Sequence, residues 1–202
     1  MMKLRPDLKI ISNWIKPGSR VLDLGCGDGT LLAYLRDHRD IAGYGLEIDD
    51  DNIVKSINKR VNVLQTNLDA GLSDFEANSF EYVVMTQTLQ AIHRPDLLLD
   101  EMLRVGQEGI VTFPNFGHWQ VRLDVGLNGS MPVSRSLPNE WYSTPNIHLC
   151  TVKDFERLCK KKNITILQRS VVNHAHQTTV GMRLFPNLLG EFALYRFSRN
   201  GK

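Results

Sequence analysis

Cysteine is scarce in this chain. Of 202 residues three are Cys, namely Cys26, Cys150 and Cys159, and no CxxC pair occurs. An odd number without paired spacing argues against a disulfide framework or a zinc ribbon, and a reducing cytoplasm is the expected setting. Long apolar runs are also lacking: none reaches the roughly 18 to 20 residues that span a bilayer. Near the N-terminus, Asp7 and Lys9 interrupt the stretch where a secretory signal needs continuous apolar residues, so this segment reads as a helix. No excess of one charge exists. Lys and Arg number 24 against 22 Asp and Glu, a net +2, and their even spread removes the usual footprint of a nucleic-acid binder. GxSxG is absent, so no Ser-His-Asp hydrolase or acyltransferase is indicated. What remains is a hydrophobic share of 42% and a charged share of 23%, ordinary for a globular chain. The length suits one domain, 1–202, with one sizeable insertion.

Short apolar runs alternate with helical periods. Pro6 can open a helix whose apolar side is Leu8, Ile11 and Ile15, closed by Lys16-Pro17-Gly18. Arg20 to Gly25 reads as a buried strand, and Leu31, Leu32 and Leu35 mark a helix after Gly29. Strands are expected over 41–48, 62–66, 81–86 and 109–113, with helices over 49–58 and about 94–105, the latter stopped by Gly106. Such alternation predicts βαβ units and a mainly parallel sheet covered on both faces. The pattern breaks at about 115–150, a Gly- and Pro-bearing stretch too long for a bare connection, with a helix expected near Trp119–Leu127. Thr151 is a natural N-cap for the next helix, and 164–172 and 191–198 read as two final strands.

The first strand ends in Asp23-Leu24-Gly25-Cys26-Gly27-Asp28-Gly29, a GxGxG loop before a helix. Glycines permit a tight turn and close backbone approach to a ligand. Thr30 stands where the GxGxxG dinucleotide fingerprint needs glycine, and no Lys-Ser/Thr follows as in a P-loop. Glu47 ends the second strand about 20 residues further on, where an acid holds ribose hydroxyls. Strand, acid, glycine loop, helix, strand and acid in that order indicate an adenosine-type ligand. No Lys or Arg flanks the loop in sequence, and Asp23 and Asp28 add negative charge, so a ligand with cationic groups fits better than a pyrophosphate. S-adenosylmethionine carries a sulfonium and an ammonium, and the loop N–H groups are available in this reading for its carboxylate.

VLDLGCGDG, GLEID and FEYVVMTQTLQ resemble the class I S-adenosylmethionine-dependent methyltransferase fold over most of the chain. That resemblance implies an α/β three-layer sandwich, Rossmann-like, with strand order 3-2-1-4-5-7-6 and an antiparallel strand 7. It further implies that Asp23 and the loop Gly25, Cys26, Gly27 and Gly29 hold the methionine moiety. Glu47 would meet the ribose, with Ile48 also in the cofactor site; Asn67, Leu68 and Asp69 would lie at the adenine; and Thr86 and Gln87 would lie near the methyl group. Asp is common in the family where this chain has Asn67. QTLQAIHRPD, GIVTFPNFGHWQVRL and MPVSRSLPNEWYSTPNIHLCTVKDFE more narrowly resemble the MetW family of methionine-biosynthesis proteins. This implies association with, and support of, the homoserine O-acyltransferase MetX, with S-adenosylmethionine or S-adenosylhomocysteine as cofactor and neither nucleic acid nor membrane as partner. An active methyltransferase on a small-molecule acceptor is the alternative.

Methyl transfer is an in-line displacement that gains much from proximity and orientation, so a general base is optional. The candidates for the acceptor or partner side are Gln90, His93, Asn115, His118, Trp119, Trp141, Tyr142 and His148. Asn115 to His118, just beyond the fifth strand, is the leading cluster, because ligands bind beyond the carboxyl ends of strands in such sheets. The aromatic insertion reads either as a lid or as a docking surface with Trp119, Trp141 and Tyr142 as anchors, and the MetW resemblance favours docking. His174 and His176 with His148 lack a placed carboxylate or thiolate and read as a polar loop, so no metal is expected. Cys26 reads as a small buried residue behind the ligand, and Lys160 to Lys162 as a solvated helix end.

Overall fold

The strand-helix alternation dictates the architecture seen in the computed structural model, which describes residues 4–175 and 177–199. The described elements are α1 (Pro6–Trp14), β1 (Arg20–Leu24), α2 (Thr30–Arg39), β2 (Ala42–Glu47), α3 (Asp50–Asn58), β3 (Asn62–Gln65), β4 (Phe80–Thr86), α4 (Pro95–Val105) and β5 (Gly106–Pro114). There follow α5 (Trp119–Leu123), α6 (Val152–Lys161), β6 (Ile164–Val172), α7 (Val180–Leu184), α8 (Pro186–Leu189) and β7 (Phe192–Arg199). The strands form one seven-stranded sheet in the order β3-β2-β1-β4-β5-β7-β6. Strands β1 to β5 pair in parallel, and β7 runs antiparallel to both β5 and β6. The strand order and the antiparallel last strand match the expected three-layer α/β fold.

Because successive strand residues face opposite sides, the parallel strands bury two apolar surfaces. Leu22, Leu24, Val83, Met85, Val111 and Phe113 pack with Leu98, Leu99, Met102 and Phe155 on the α4 and α6 side. Val21, Val84 and Ile110 pack with Leu8, Ile11, Ile15, Leu31, Leu32 and Leu35 on the α1 and α2 side. Burying each such large side chain contributes roughly 1.5–3 kcal/mol. Asp49 caps α3 by accepting the Asn52 N–H at 2.9 Å. Thr151 caps α6 by accepting from Asp154 N at 3.1 Å, as its sequence position predicts.

Three local features depart from expectation. Gly106 does not merely stop α4; it is extended and begins β5, three residues before the expected start. A Cβ there would lie 2.6 Å from Val83 Cγ2, so only glycine lets the helix pass straight into the strand. The expected helix at Trp119–Leu127 ends as α at Leu123 and continues as a π turn over Asp124–Asn128. Helices α7 and α8 were not expected: they are five and four residues long, too short to carry a readable helical period. Among the described residues no helix is long and apolar enough to cross a membrane.

Candidate functional site

The glycine loop lies at the carboxyl ends of β1, β2 and β4. Gly25, Gly27 and Gly29 all have positive φ, at 70°, 56° and 72°, which explains the residue type. At Gly25 a Cβ would also lie 2.6 Å from Thr88 Oγ1. All of the loop's backbone donors but Asp28 N–H are engaged within the chain. Gly25 and Cys26 N–H both donate to Leu46 O, at 2.8 and 3.0 Å, and Gly29 N–H to Cys26 O at 3.1 Å. Gly27 N–H donates to Glu47 Oε2 at 2.7 Å, and Thr30 N–H to Asp28 Oδ1 at 3.2 Å. The bonds of Gly25, Cys26 and Gly27 hold the loop against β2 and those of Gly29 and Thr30 close it on itself, which narrows the donors expected for a ligand carboxylate to Asp28 N–H.

Asp23 is 1% exposed, and its Oδ1 has no hydrogen-bond partner among the described residues. Burial first, and the charge of Glu47 second, push its carboxyl up to about 7. Asp28 differs. Burial opposes its charge, but hydrogen bonds from Lys59 and Thr30 outweigh that and hold it below the usual carboxylate range. Lys59 Nζ bonds the Asp28 carboxylate, Asp28 O at 2.9 Å and Thr30 Oγ1 at 2.7 Å. A cation from the end of α3 thus neutralises one of the two acids, although no basic residue flanks the loop in sequence.

Two clefts meet at Gly25. One, of about 440 Å³, is lined by Asp23, the loop, Thr86, Gln87 and, from the N-terminal helix, Arg5 and Leu8. The other, of about 290 Å³, is lined by Glu47, Ile48, Asn67, Leu68, Asp69, Thr88 and Ile92 among others. Eleven of the twelve residues expected to hold the cofactor line one cleft or the other; the twelfth, Gly29, turns the chain into α2. Glu47 is 8% exposed; its second oxygen accepts Ile48 and Asp49 N–H at 2.9 and 3.0 Å. Asn67 Oδ1 accepts Asp69 N–H at 3.0 Å and so starts a 3-10 turn. Gln87 adopts φ 55°, a left-handed conformation that costs a non-glycine residue of order 1 kcal/mol or more. Its N–H donates to Thr112 O and Oγ1, at 2.9 and 3.0 Å, which holds the strained bend in place.

None of the eight acceptor-side candidates lines either cleft. Asn115 is 2% exposed. Its Nδ2 donates to Asn187 O and Gly190 O, at 3.1 and 2.8 Å, and its Oδ1 accepts Gly117 and Val152 N–H, at 3.0 and 3.2 Å. These bonds use its full capacity, so Asn115 pins the start of the insertion to α6 and α8 and offers nothing to an acceptor. His118 is buried, which lowers its pKa below the ordinary value. His93 Nδ1 bonds Asp69 Oδ2 at 2.7 Å, and His148 Nε2 bonds His93 O at 3.1 Å. Gln90 Nε2 donates to Gln87 O at 2.8 Å, while its buried Oε1 lacks a partner among the described residues. The aromatic candidates face outward: Trp119, Trp141 and Tyr142 are 42%, 70% and 72% exposed. Trp141 and Tyr142 make an edge contact with centroids 5.7 Å apart.

Cys26 packs against Gly45, where a Cβ would lie 2.4 Å from its Sγ, and burial with the Asp23 charge pushes its thiol up to about 12. It is a buried spacer, not a reactive thiol. His174 Nδ1 bonds Glu191 Oε1 at 3.2 Å; His176 lies outside the described residues. Among the described residues no three His, Cys, Asp or Glu side chains converge as metal ligands. Sequence reasoning did not include Arg5, Lys59, Thr88 and Thr112 in the site, because only tertiary packing brings them there.

A mainly parallel sheet in this order with an antiparallel last strand, and with the glycine loop and Glu47 at its carboxyl edge, defines the class I methyltransferase fold, and solved structures agree. An S-adenosylmethionine-dependent methyltransferase from Mesorhizobium loti matches with a TM-score of 0.69 at 16% identity, over 96% of each chain. The Haemonchus contortus phosphoethanolamine N-methyltransferase 2, solved with S-adenosyl-L-methionine, matches with a TM-score of 0.68 at 15% identity, over 96% of this chain and 52% of that one. At these identities the likeness is one of fold. The family model of the methionine biosynthesis protein MetW matches residues 5–197, and the chain belongs to that family. The bifunctional methionine biosynthesis protein MetXA/MetW of Rhodopirellula baltica is 32% identical over 208 residues, which cover 98% of this chain and 33% of that protein. The chain thus spans about a third of that relative's length.

Proposed function

We propose that this chain binds S-adenosylmethionine or S-adenosylhomocysteine. In this reading it serves as an accessory, activating subunit of the homoserine O-acyltransferase MetX in L-methionine biosynthesis, in the cytoplasm. It acts as one domain, 1–202, with an insertion at about 115–150. The residues present suit the cofactor. The unpartnered, buried Asp23 Oδ1 suits an ammonium. Three donors occupy Glu47, and a carboxylate offers about four acceptor positions, so one remains for a ribose hydroxyl. The cleft at Ile48, Asn67, Leu68 and Asp69 suits the adenine. When bound, S-adenosylmethionine supplies an electrophilic methyl group; this chain's residues bind and orient it.

The observation that carries the accessory role is the outward-facing pair Trp141 and Tyr142 on the insertion. Large aromatics left in water suit burial against another protein. The fused MetXA/MetW name of the R. baltica relative supports an acyltransferase as that protein. His93 and His148 support it too, since neither lines either of the two clefts and a ring nitrogen of each is engaged, by Asp69 and by the His93 carbonyl. Cofactor and partner sites also share a structural element. Ile147 and His148 N–H donate to Gln90 O, at 2.8 and 2.9 Å, in the turn whose Thr88, Ala91 and Ile92 line the adenosine cleft. Cofactor occupancy then biases the insertion, and the partner's presence must shift cofactor affinity by the same factor.

The test is acyltransferase turnover with and without the purified chain, run beside methyl transfer from labelled cofactor in a metabolite extract. The accessory role predicts co-purification and a gain in acyl transfer without methyl transfer. Methyl transfer with no effect on the acyltransferase would establish the enzyme reading instead.

A further inference from the structure

We infer that Arg5 reads the α-carboxylate of the bound ligand, so that the cleft selects nucleosides carrying an amino-acid tail over those without one. The inference rests on the reading that the cleft holds S-adenosylmethionine or its product.

An α-amino acid bears its ammonium and carboxylate on one carbon, so both partners must face the same small space. Asp23, buried and without a partner at Oδ1, is the partner for the ammonium. The carboxylate then needs donors beside it. The N–H groups of Gly25, Cys26, Gly27, Gly29 and Thr30 are engaged within the chain, so the loop leaves Asp28 N–H, one neutral donor, for a group that carries a full negative charge. Lys59 adds none: its ammonium is spent on Asp28 and Thr30, and it does not line the cleft. Among the described lining residues Arg5 is the single cation.

Its geometry suits the task. Arg5 Nε and Nη2 donate to the two oxygens of Asp7, at 3.3 and 3.0 Å. The Asp7 side chain is 2% exposed and fixed within α1, whereas that of Arg5 is 52% exposed. The buried acid therefore aims the guanidinium, and Nη1 has no partner among the described residues. A planar guanidinium with a free edge is suited to a carboxylate in a way that a lysine ammonium is not. Arg5 is a specificity residue in this account and takes no part in chemistry.

Calorimetry on the full chain tests this with two probes. S-adenosylhomocysteine carries the amino-acid tail; 5′-methylthioadenosine has the same nucleoside and a thioether but no tail. Arg5→Gln is expected to weaken S-adenosylhomocysteine at least tenfold and leave 5′-methylthioadenosine within twofold of the wild type. Arg5→Lys, which keeps a cation beside Asp7, should recover part of the loss. Unchanged S-adenosylhomocysteine binding by Arg5→Gln overturns the inference. Equal loss of both probes also overturns it, because that marks a purely structural role in α1. A wild-type chain that binds neither probe overturns the cofactor reading itself, and the inference with it.

Discussion

Gly27 N–H and Glu47 Oε2 meet at 2.7 Å, joining the middle of the glycine loop to the end of β2 across 20 residues of sequence. The acid at this place is thus part of the loop's own scaffold as well as a candidate ribose ligand. Its other oxygen holds the N–H groups that lead into α3.

Glu47→Ala should therefore do two things. Removing the acceptor leaves the half-buried Gly27 N–H without its partner, which costs about 1–3 kcal/mol and lowers the unfolding midpoint. S-adenosylhomocysteine binding should be lost in the same variant. Chemical denaturation and calorimetry check the two effects separately. If the folded variant still activates the acyltransferase fully, activation does not require the cofactor.

The Asp23 carboxyl, raised from 3.8 to about 7 by burial and then by Glu47, predicts a pH dependence with a definite sign. The folded state binds this proton more tightly than the unfolded chain. Its contribution to stability is thus greatest below about pH 4, declines as pH rises toward 7, and is flat above. Cofactor binding runs the other way, because an ammonium needs the ionised carboxylate. Affinity for S-adenosylhomocysteine should rise about tenfold from pH 6 to pH 8, in proportion to the ionised fraction. Asp23→Asn should abolish both dependences, read by calorimetry and thermal melts across that range.

Asn115 satisfies two carbonyls and two N–H groups from three separate segments. Asn115→Ala should destabilise the fold by about 3 kcal/mol, since it strands buried groups of Gly117 and Val152. Asn115→Asp should not rescue it, because a carboxylate cannot donate to Asn187 O and Gly190 O. Amide exchange should show the loss spreading to the N-terminus of α6 and to α8.

Trp141→Ala and Tyr142→Ala test the docking surface. Each residue is mostly exposed in the free chain, so neither change should move the unfolding midpoint by more than about 0.5 kcal/mol. Each should weaken acyltransferase binding by about tenfold or more if the residue is a buried anchor in the complex. Cofactor affinity of the free chain should stay unchanged.

Much of this organisation is legible in the residues. The apolar runs at Val21 to Leu24 and Tyr82 to Met85, the break at Gly25 and the cap at Thr151 are local signals, and the strands and the α6 start follow from them. The loop's partners are not local. Lys59 lies 31 residues from Asp28, and only packing of α3 beside the loop brings them together. Arg5 reaches the cleft because α1 lies against α2, a tertiary fact with no motif of its own. Asn115 and His118 lie beyond a strand end, as the general rule requires, yet hydrogen bonds to α8 and the burial of His118 turn them away from the cleft. Residue type and position suggest a site there; the hydrogen bonds of Asn115 make it a tie between the insertion, α6 and α8.

The most direct measurement of the account is the turnover of the homoserine O-acyltransferase, titrated with this chain at saturating substrates. The account predicts that the rate rises with added chain, saturates at a fixed ratio, and is reduced by Trp141→Ala at equal concentration. An acyltransferase rate that is the same with and without the chain, at concentrations far above those of the enzyme, would contradict it.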